Sequence, residues 1–184
     1  PVSLDAVFRP RSVAVIGASR KRQPIGREIL ANLVEYGFNG PVYPVNPTAE
    51  AIHSIRCFRS IKDIPGPVDL AIVTVAKDQV LPVVGACGRK GVRGLIVITA
   101  GFKEIGADGA KLEAKLKATL TRYRIRMIGP NCMGVVNTED RVKLNATFAA
   151  TTPVRGNVGF VSQSGALGEA ILADGVENGL GVAM

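Results

Sequence analysis

The chain has 184 residues, 47% of them hydrophobic and 21% charged, and carries a formal net charge of +8. That is enough chain to bury a real core, and no apolar run approaches the ~18 uninterrupted positions of a membrane span, so a soluble, cytoplasmic protein with no membrane partner is expected. The charge favours polyanionic partners, but with no Trp, three Tyr and six Phe the stacking residues of a nucleic-acid surface are scarce, and nucleic acid is not expected as a partner.

Asp5, Arg9 and Arg11 break up every early apolar run, unlike a secretory signal. Cys57, Cys87 and Cys132 are odd in number, far apart and free of any C-x-x-C pair, so neither a disulfide framework nor a metal site is indicated. From the amino terminus onward, short β-branched runs alternate with longer amphipathic stretches, the pattern of parallel strands joined by crossover helices. Strands are predicted at residues 12–16, 42–45, 70–75, 95–99 and 126–128. Helices are predicted from Pro24 to just before Gly37, over 79–90 and over 108–123. In the last of these Leu112, Leu116 and Leu120 form an apolar stripe, with Lys111, Glu113, Lys115 and Lys117 on a solvated face. The expected architecture is α/β, a doubly wound parallel sheet.

Beyond Ile128, Gly129-Pro130-Asn131 reads as a turn and residues 133–148 as extended or irregular chain. A polar link at 151–156 then precedes a strand at 158–161, a turn at Ser162-Gln163-Ser164-Gly165 and a small-residue helix from Ala166 to about Asn178. Residues 1–150 are therefore expected to form one domain, 151–156 a linker, and 157–184 the opening of a second domain that this length does not complete.

Three apolar strands end in turns of small residues, at Gly17-Ala18-Ser19, Thr99-Ala100-Gly101 and Ser162-Gln163-Ser164-Gly165. Open α/β sheets place ligands at the carboxyl ends of their strands. The first turn precedes a helix start and carries Arg20, Lys21 and Arg22, which suits a phosphate held on backbone N–H groups and cations. A nicotinamide dinucleotide fits poorly: the glycines are not spaced G-x-G-x-x-G, and the second strand ends in Asn46-Pro47 with no carboxylate for a ribose hydroxyl. A phosphate-rich ligand such as coenzyme A suits the basic loop better.

The ordered set of segments at residues 8–19, 40–47, 98–102, 128–134 and 159–165 resembles the NDP-forming acyl-CoA synthetases, a family that includes ADP-forming acetate–CoA ligase and the succinyl-CoA synthetase α subunit. The resemblance implies a Rossmann-type domain binding coenzyme A or acyl-CoA, followed by the start of a flavodoxin-like α/β domain. It implies contacts to the coenzyme from Gly17, Ala18, Ser19, Arg20, Lys21 and Arg22, from Asn46, Pro47 and Thr48, and from Thr99, Ala100 and Gly101, with Asn131 toward the thiol end. Ser162, Gln163, Ser164 and Gly165 would face a transferred phosphate, or Ser164 would simply cap its helix. Family members pass phosphate through an acyl phosphate and a histidine to ADP, and the resemblance implies the remaining synthetase domains or subunit, including an ATP-grasp-type domain, as partners, with a homo-oligomer as a possible assembly of this chain. His53, the one histidine, precedes the third strand and does not match that phosphorylated position, so no catalytic residue is assigned and the chain alone is expected to be catalytically incomplete. A stand-alone coenzyme A-binding regulatory module, or the synthetase-like region of a protein-lysine acetyltransferase, remains an alternative.

Overall fold

The computed structural model describes residues 3–19 and 25–184. In chain order the elements are α1 (Asp5–Phe8), β1 (Val13–Ile16), α2 (Ile25–Glu35), β2 (Val42–Val45), β3 (Ala51–Ile52), β4 (Ile55–Arg56), β5 (Leu70–Val73), α3 (Lys77–Lys90), β6 (Gly94–Val97), α4 (Ala107–Tyr123), β7 (Arg126–Ile128), β8 (Gly134–Asn137), β9 (Leu144–Thr147), β10 (Arg155–Val158) and α5 (Gly165–Glu177). Single 3₁₀ turns lie at Ile61–Asp63 and Lys103–Ile105.

Five strands form one parallel sheet in the order β2-β1-β5-β6-β7. All four residues of β1, β5 and β6 are buried, as strands covered on both faces must be. Successive side chains point to opposite faces. Ala14, Ile16, Ala71, Val73, Leu95 and Val97 pack against Val80, Val84 and Cys87 of α3 and Leu116 and Leu120 of α4. Val13, Val15, Leu70, Ile72 and Ile96 pack against Ile29, Leu30 and Leu33 of α2 and Leu144 and Ala146 of β9. Each fully buried aliphatic side chain stabilises the fold by about 1.5–3 kcal/mol relative to exposure, so this two-faced core dominates the energetics.

The predicted strands and helices of the sheet all appear, although Pro24 lies outside the described residues. Four details refine or correct the expectations. Of the two forms expected for residues 133–148, extended or irregular, the structure takes the extended one: β8 and β9 pair as an antiparallel hairpin, Gly134 opposite Thr147, which lays Leu144 and Ala146 on the sheet face beside α2. A small hairpin, β3–β4, closes on the two-residue turn His53-Ser54 with both φ angles positive. Glu113 is 6% exposed instead of solvated, because its carboxylate is drawn inward to the backbone N–H of Lys103 at 3.3 Å while Lys117 Nζ covers it at 3.0 Å. Finally β10 starts at Arg155, inside the expected linker, where Arg155 and Val158 make parallel bridges to Val182.

Candidate functional site

The strand order reverses between β1 and β5, so the crevice of this sheet opens above the carboxyl ends of those two strands. Gly17 follows β1 and donates its N–H to the Val45 carbonyl at 3.1 Å. From the other side, Thr74 donates both its N–H (2.9 Å) and its hydroxyl (3.1 Å) to the Ile16 carbonyl. Gly17 has φ +97°, and a Cβ there would lie 2.6 Å from Thr74 Oγ1; a Cβ on Gly26 would lie 2.5 Å from the Gly17 carbonyl oxygen. Helix α2 therefore sits directly on the β1 turn, a closeness that only glycine allows at both positions. Arg20, Lys21 and Arg22, the cations assigned to this turn, lie outside the described residues.

The loop after β2 is tied to the same turn. Asn46 Nδ2 donates to the Ala18 carbonyl at 2.7 Å, while its Oδ1 accepts from Thr48 N, Thr48 Oγ1 and Ala49 N at 2.9–3.0 Å. Ala18 is buried, Ser19 partly so, and Pro47 and Thr48 are exposed. Gly17, Ala18, Ser19, Asn46, Pro47 and Thr48 thus form one connected patch, with Asn46 acting as its internal staple.

A second patch is built on β6 and β7. Thr99 Oγ1 donates to the Val75 carbonyl at 2.7 Å, and Asn131 N–H donates to the Thr99 carbonyl at 3.1 Å. Asn131 has φ 55° and follows a cis Gly129-Pro130 bond. Cys132 Sγ lies 3.5 Å from the Val97 carbonyl, and burial pushes its thiol up to about 11. Cys87 in the core is pushed up to about 12 for the same reason. At neutral pH both are protonated and poor nucleophiles.

Two cavities adjoin this second patch. One, of about 880 Å³, brings Thr99, Ala100 and Asn131 together with Gln163, Gly165 and Glu169 of the α5 region, and Thr74 reaches it from the first patch. The other, of about 950 Å³, runs along residues 128–136 to Ser162, Gln163, Ser164 and Gly165, and is also lined by Lys103, Glu104 and Glu113. Ser164 caps α5, its Oγ accepting from Leu167 N at 3.3 Å, and Ser162 Oγ accepts from Ser164 N at 3.0 Å. The four residues expected to face phosphate therefore stand at a capped helix start across from Asn131.

Sequence reasoning passed over Thr74, Glu104 and Glu169. Thr74 is signalled by a lone hydroxyl just past the apolar run of β5. Glu169 Oε1 accepts from Thr151 N and Oγ1 at 3.0 and 2.8 Å, and its Oε2 is the one buried side-chain polar atom without a partner among the described residues; nothing in the sequence pattern marks it. His53 is exposed and lines neither cavity. No helix among the described residues is long and apolar enough to cross a membrane.

Residues 11–138 match the family described as CoA binding domain. The chain is 46% identical over 178 residues to the α subunit of acetate–CoA ligase (ADP-forming) II of Pyrococcus furiosus, covering 97% of this chain and 38% of that protein. It is 40% identical over 175 residues to 4-hydroxybutyrate–CoA ligase (ADP-forming) of Nitrosopumilus maritimus, covering 95% of this chain and 25% of that one. A solved structure of dinucleotide-forming acetyl-coenzyme A synthetase 1 from Ca. Korarchaeum cryptofilum, in complex with phosphate and ADP, superposes with a TM-score of 0.94 at 42% identity, covering all of this chain and 39% of that one. The chain thus spans between a quarter and two fifths of the length of these relatives.

Proposed function

The chain belongs to the CoA binding domain family, and from that premise we propose that it is the coenzyme A-binding portion of an ADP-forming acyl-CoA synthetase. The whole enzyme would join a carboxylate to coenzyme A with ATP, releasing acyl-CoA, ADP and phosphate through an acyl phosphate and a phosphohistidine supplied from outside these residues. The observation that carries this reading is the convergence of the turns after β1, β2 and β6 at one end of the sheet, the first two stapled by Asn46.

The residues fit the coenzyme. The Gly17 turn lets α2 close onto the carboxyl end of β1, where a helix start can hold a phosphate, and the end of β2 offers an already engaged amide where a nicotinamide dinucleotide would need a free carboxylate. The cavity beside Thr99 and Asn131, about 880 Å³, is large enough for the extended arm of the coenzyme. When bound, coenzyme A supplies the thiol that accepts the acyl group. The chain's part is to hold the phosphates on the β1 turn, to fix the arm against Thr99, Ala100, Gly101 and Asn131, and to bring its end near the α5 turn at Ser162–Gly165, where a transferred phosphate would sit.

Residues 1–150 would form the coenzyme domain, 151–156 the link and 157–184 the opening of a second flavodoxin-like domain. The bridges of Arg155 and Val158 to Val182 around crossover helix α5 support a β-α-β start there. The reading further implies a cytoplasmic enzyme, the remaining synthetase domains including an ATP-grasp-type one as partners, and assembly as a homo-oligomer. Calorimetry with coenzyme A and NAD tests the core of it. Heat with coenzyme A and none with NAD is expected; equal or tighter binding of NAD, or no heat with millimolar coenzyme A, would sink it.

A further inference from the structure

The two cavities beside the β6–β7 patch share a neck. Asn131, Cys132, Met133, Gln163 and Gly165 line both of them, so a ligand whose arm fills the smaller cavity meets the larger one across these residues. Met133 stands at the neck against a bare stretch of α5: a Cβ on Gly165 would lie 3.4 Å from Met133 Cβ, and one on Gly168 would lie 3.1 Å from Met133 Cε.

Beyond the neck, the larger cavity of about 950 Å³ is walled by Ile128, Met133, Val136, Phe160, Leu172 and Val182. Met133, Val136, Phe160 and Val182 are partly exposed and belong to neither face of the sheet core. Val136 owes this to its strand, because the alternation of β8 sends Val135 into the core beside α2 and Val136 to the opposite side. These walls are pinned to one another. Thr138, 3% exposed, donates its N–H to the Ala183 carbonyl at 3.0 Å and its hydroxyl to the Val182 carbonyl at 2.7 Å, and Phe160 N–H donates to the Met184 carbonyl at 3.0 Å. Apolar surface held open in this way favours a nonpolar group that covers it, by about three- to fourfold in affinity for each methylene buried. The charged lining residues select further. Glu104, which accepts the Gly101 N–H at 2.6 Å, and Glu113 outnumber Lys103 there, an excess of negative charge that opposes an anionic tail.

We propose that the larger cavity is a binding site for an acyl chain, and that it selects an apolar, uncharged chain longer than acetyl. The proposal rests on the coenzyme A reading, under which the sulfur of the thioester comes to the neck beside Asn131. An acetyl group offers the walls a single methyl; a butyryl group offers two methylenes more.

The test is calorimetry on the full chain with free coenzyme A and with its acetyl, butyryl and succinyl thioesters. Butyryl-coenzyme A is expected to bind about tenfold more tightly than acetyl-coenzyme A, and succinyl-coenzyme A, with as many acyl carbons but a carboxylate at the end, no more tightly than the acetyl form. Val136→Phe, which fills the cavity, and Phe160→Ser, which removes an apolar wall, should each bring the butyryl-to-acetyl ratio close to one. Phe160 is partly exposed, so its variant carries the comparison if thermal melting shows Val136→Phe to be loosened. In parallel, the Met133 methyl is followed by NMR with butyrate alone, which should shift it in wild type. Equal affinity for the acetyl and butyryl thioesters, a ratio that both variants leave intact, or tighter binding of the succinyl form than the butyryl form overturns the acyl site. If neither coenzyme A nor any thioester binds, the coenzyme reading falls; the acyl site then stands if butyrate still moves the Met133 methyl and falls with it if butyrate does not.

Discussion

Asn46 Nδ2 donates to the Ala18 carbonyl at 2.7 Å, joining the loop after β2 to the turn after β1. Asn46→Asp keeps the acceptor for Thr48 and Ala49 but removes the donor, leaving the Ala18 carbonyl facing a negative charge beside the proposed phosphate site. Coenzyme A affinity is expected to fall about tenfold and stability by about 1 kcal/mol, read by calorimetry and urea unfolding. Unchanged affinity would mean that the staple does not shape the binding turn.

Gly26→Ala should destabilise by about 1–3 kcal/mol, the scale of overpacking, because its Cβ would lie 2.5 Å from the Gly17 carbonyl oxygen. Gly85→Ala is the control. A Cβ there meets only Arg89 Nη1 at 3.5 Å, so removing glycine from the interior of α3 should stabilise by about 0.5–1 kcal/mol. Urea midpoints moving the same way for both would refute the packing described for Gly26.

The turn His53-Ser54 has φ angles of 50° and 62°, the left-handed pair that Asn-Gly adopts most readily. Replacing both residues by Asn and Gly is expected to raise stability by about 0.5–1 kcal/mol and leave coenzyme A binding unchanged, since neither lines a cavity. A fall in the melting temperature would count against the hairpin.

Neutralising Arg20, Lys21 and Arg22 together should weaken coenzyme A binding by about 1–3 kcal/mol, the scale of charge-assisted hydrogen bonds. Added salt should weaken wild-type binding more than that of the triple variant. Normal binding by the variant would place the phosphates elsewhere.

The Glu113 carboxyl is held below its usual value chiefly by Lys117, with help from the Lys103 N–H and against the effect of burial. A carboxyl depressed in the folded state adds stability that is present above its unfolded value, near 4.5, and is lost as pH falls through the lower folded value. Glu113→Gln should therefore lose less stability than wild type between pH 6 and pH 3, as urea midpoints at the two pH values would show. An identical loss would assign the acid sensitivity to other carboxylates.

Much of this architecture was readable because β1, β5 and β6 are short apolar runs closed by turns, the mark of strands buried on both faces. Val135, Leu144 and Ala146 were harder to place. Their hairpin begins at a Gly-Pro-Asn-Cys turn and includes Asn137, Asn145 and Thr147, polar residues that only their tertiary partners, such as the Phe8 carbonyl for Asn137, allow to be buried. The start of β10 was missed because its pairing with Val182 reaches across α5. Among site residues, the small-residue turns announce themselves in sequence. The engagements of Thr74 with Ile16, Glu104 with Gly101 and Glu169 with Thr151 do not, since each depends on where the chain folds back.

Cys132 stands in the walls of both cavities with a thiol pushed up to about 11. At pH 7 only on the order of one such group in ten thousand is ionised. A reactive thiolate in this position would attack any thioester formed beside it, capturing the acyl group on the protein and leaving the coenzyme empty. Burial keeps the sulfur protonated, so under the proposed function a thioester brought into this corner would lie beside Cys132 without passing its acyl group to the protein.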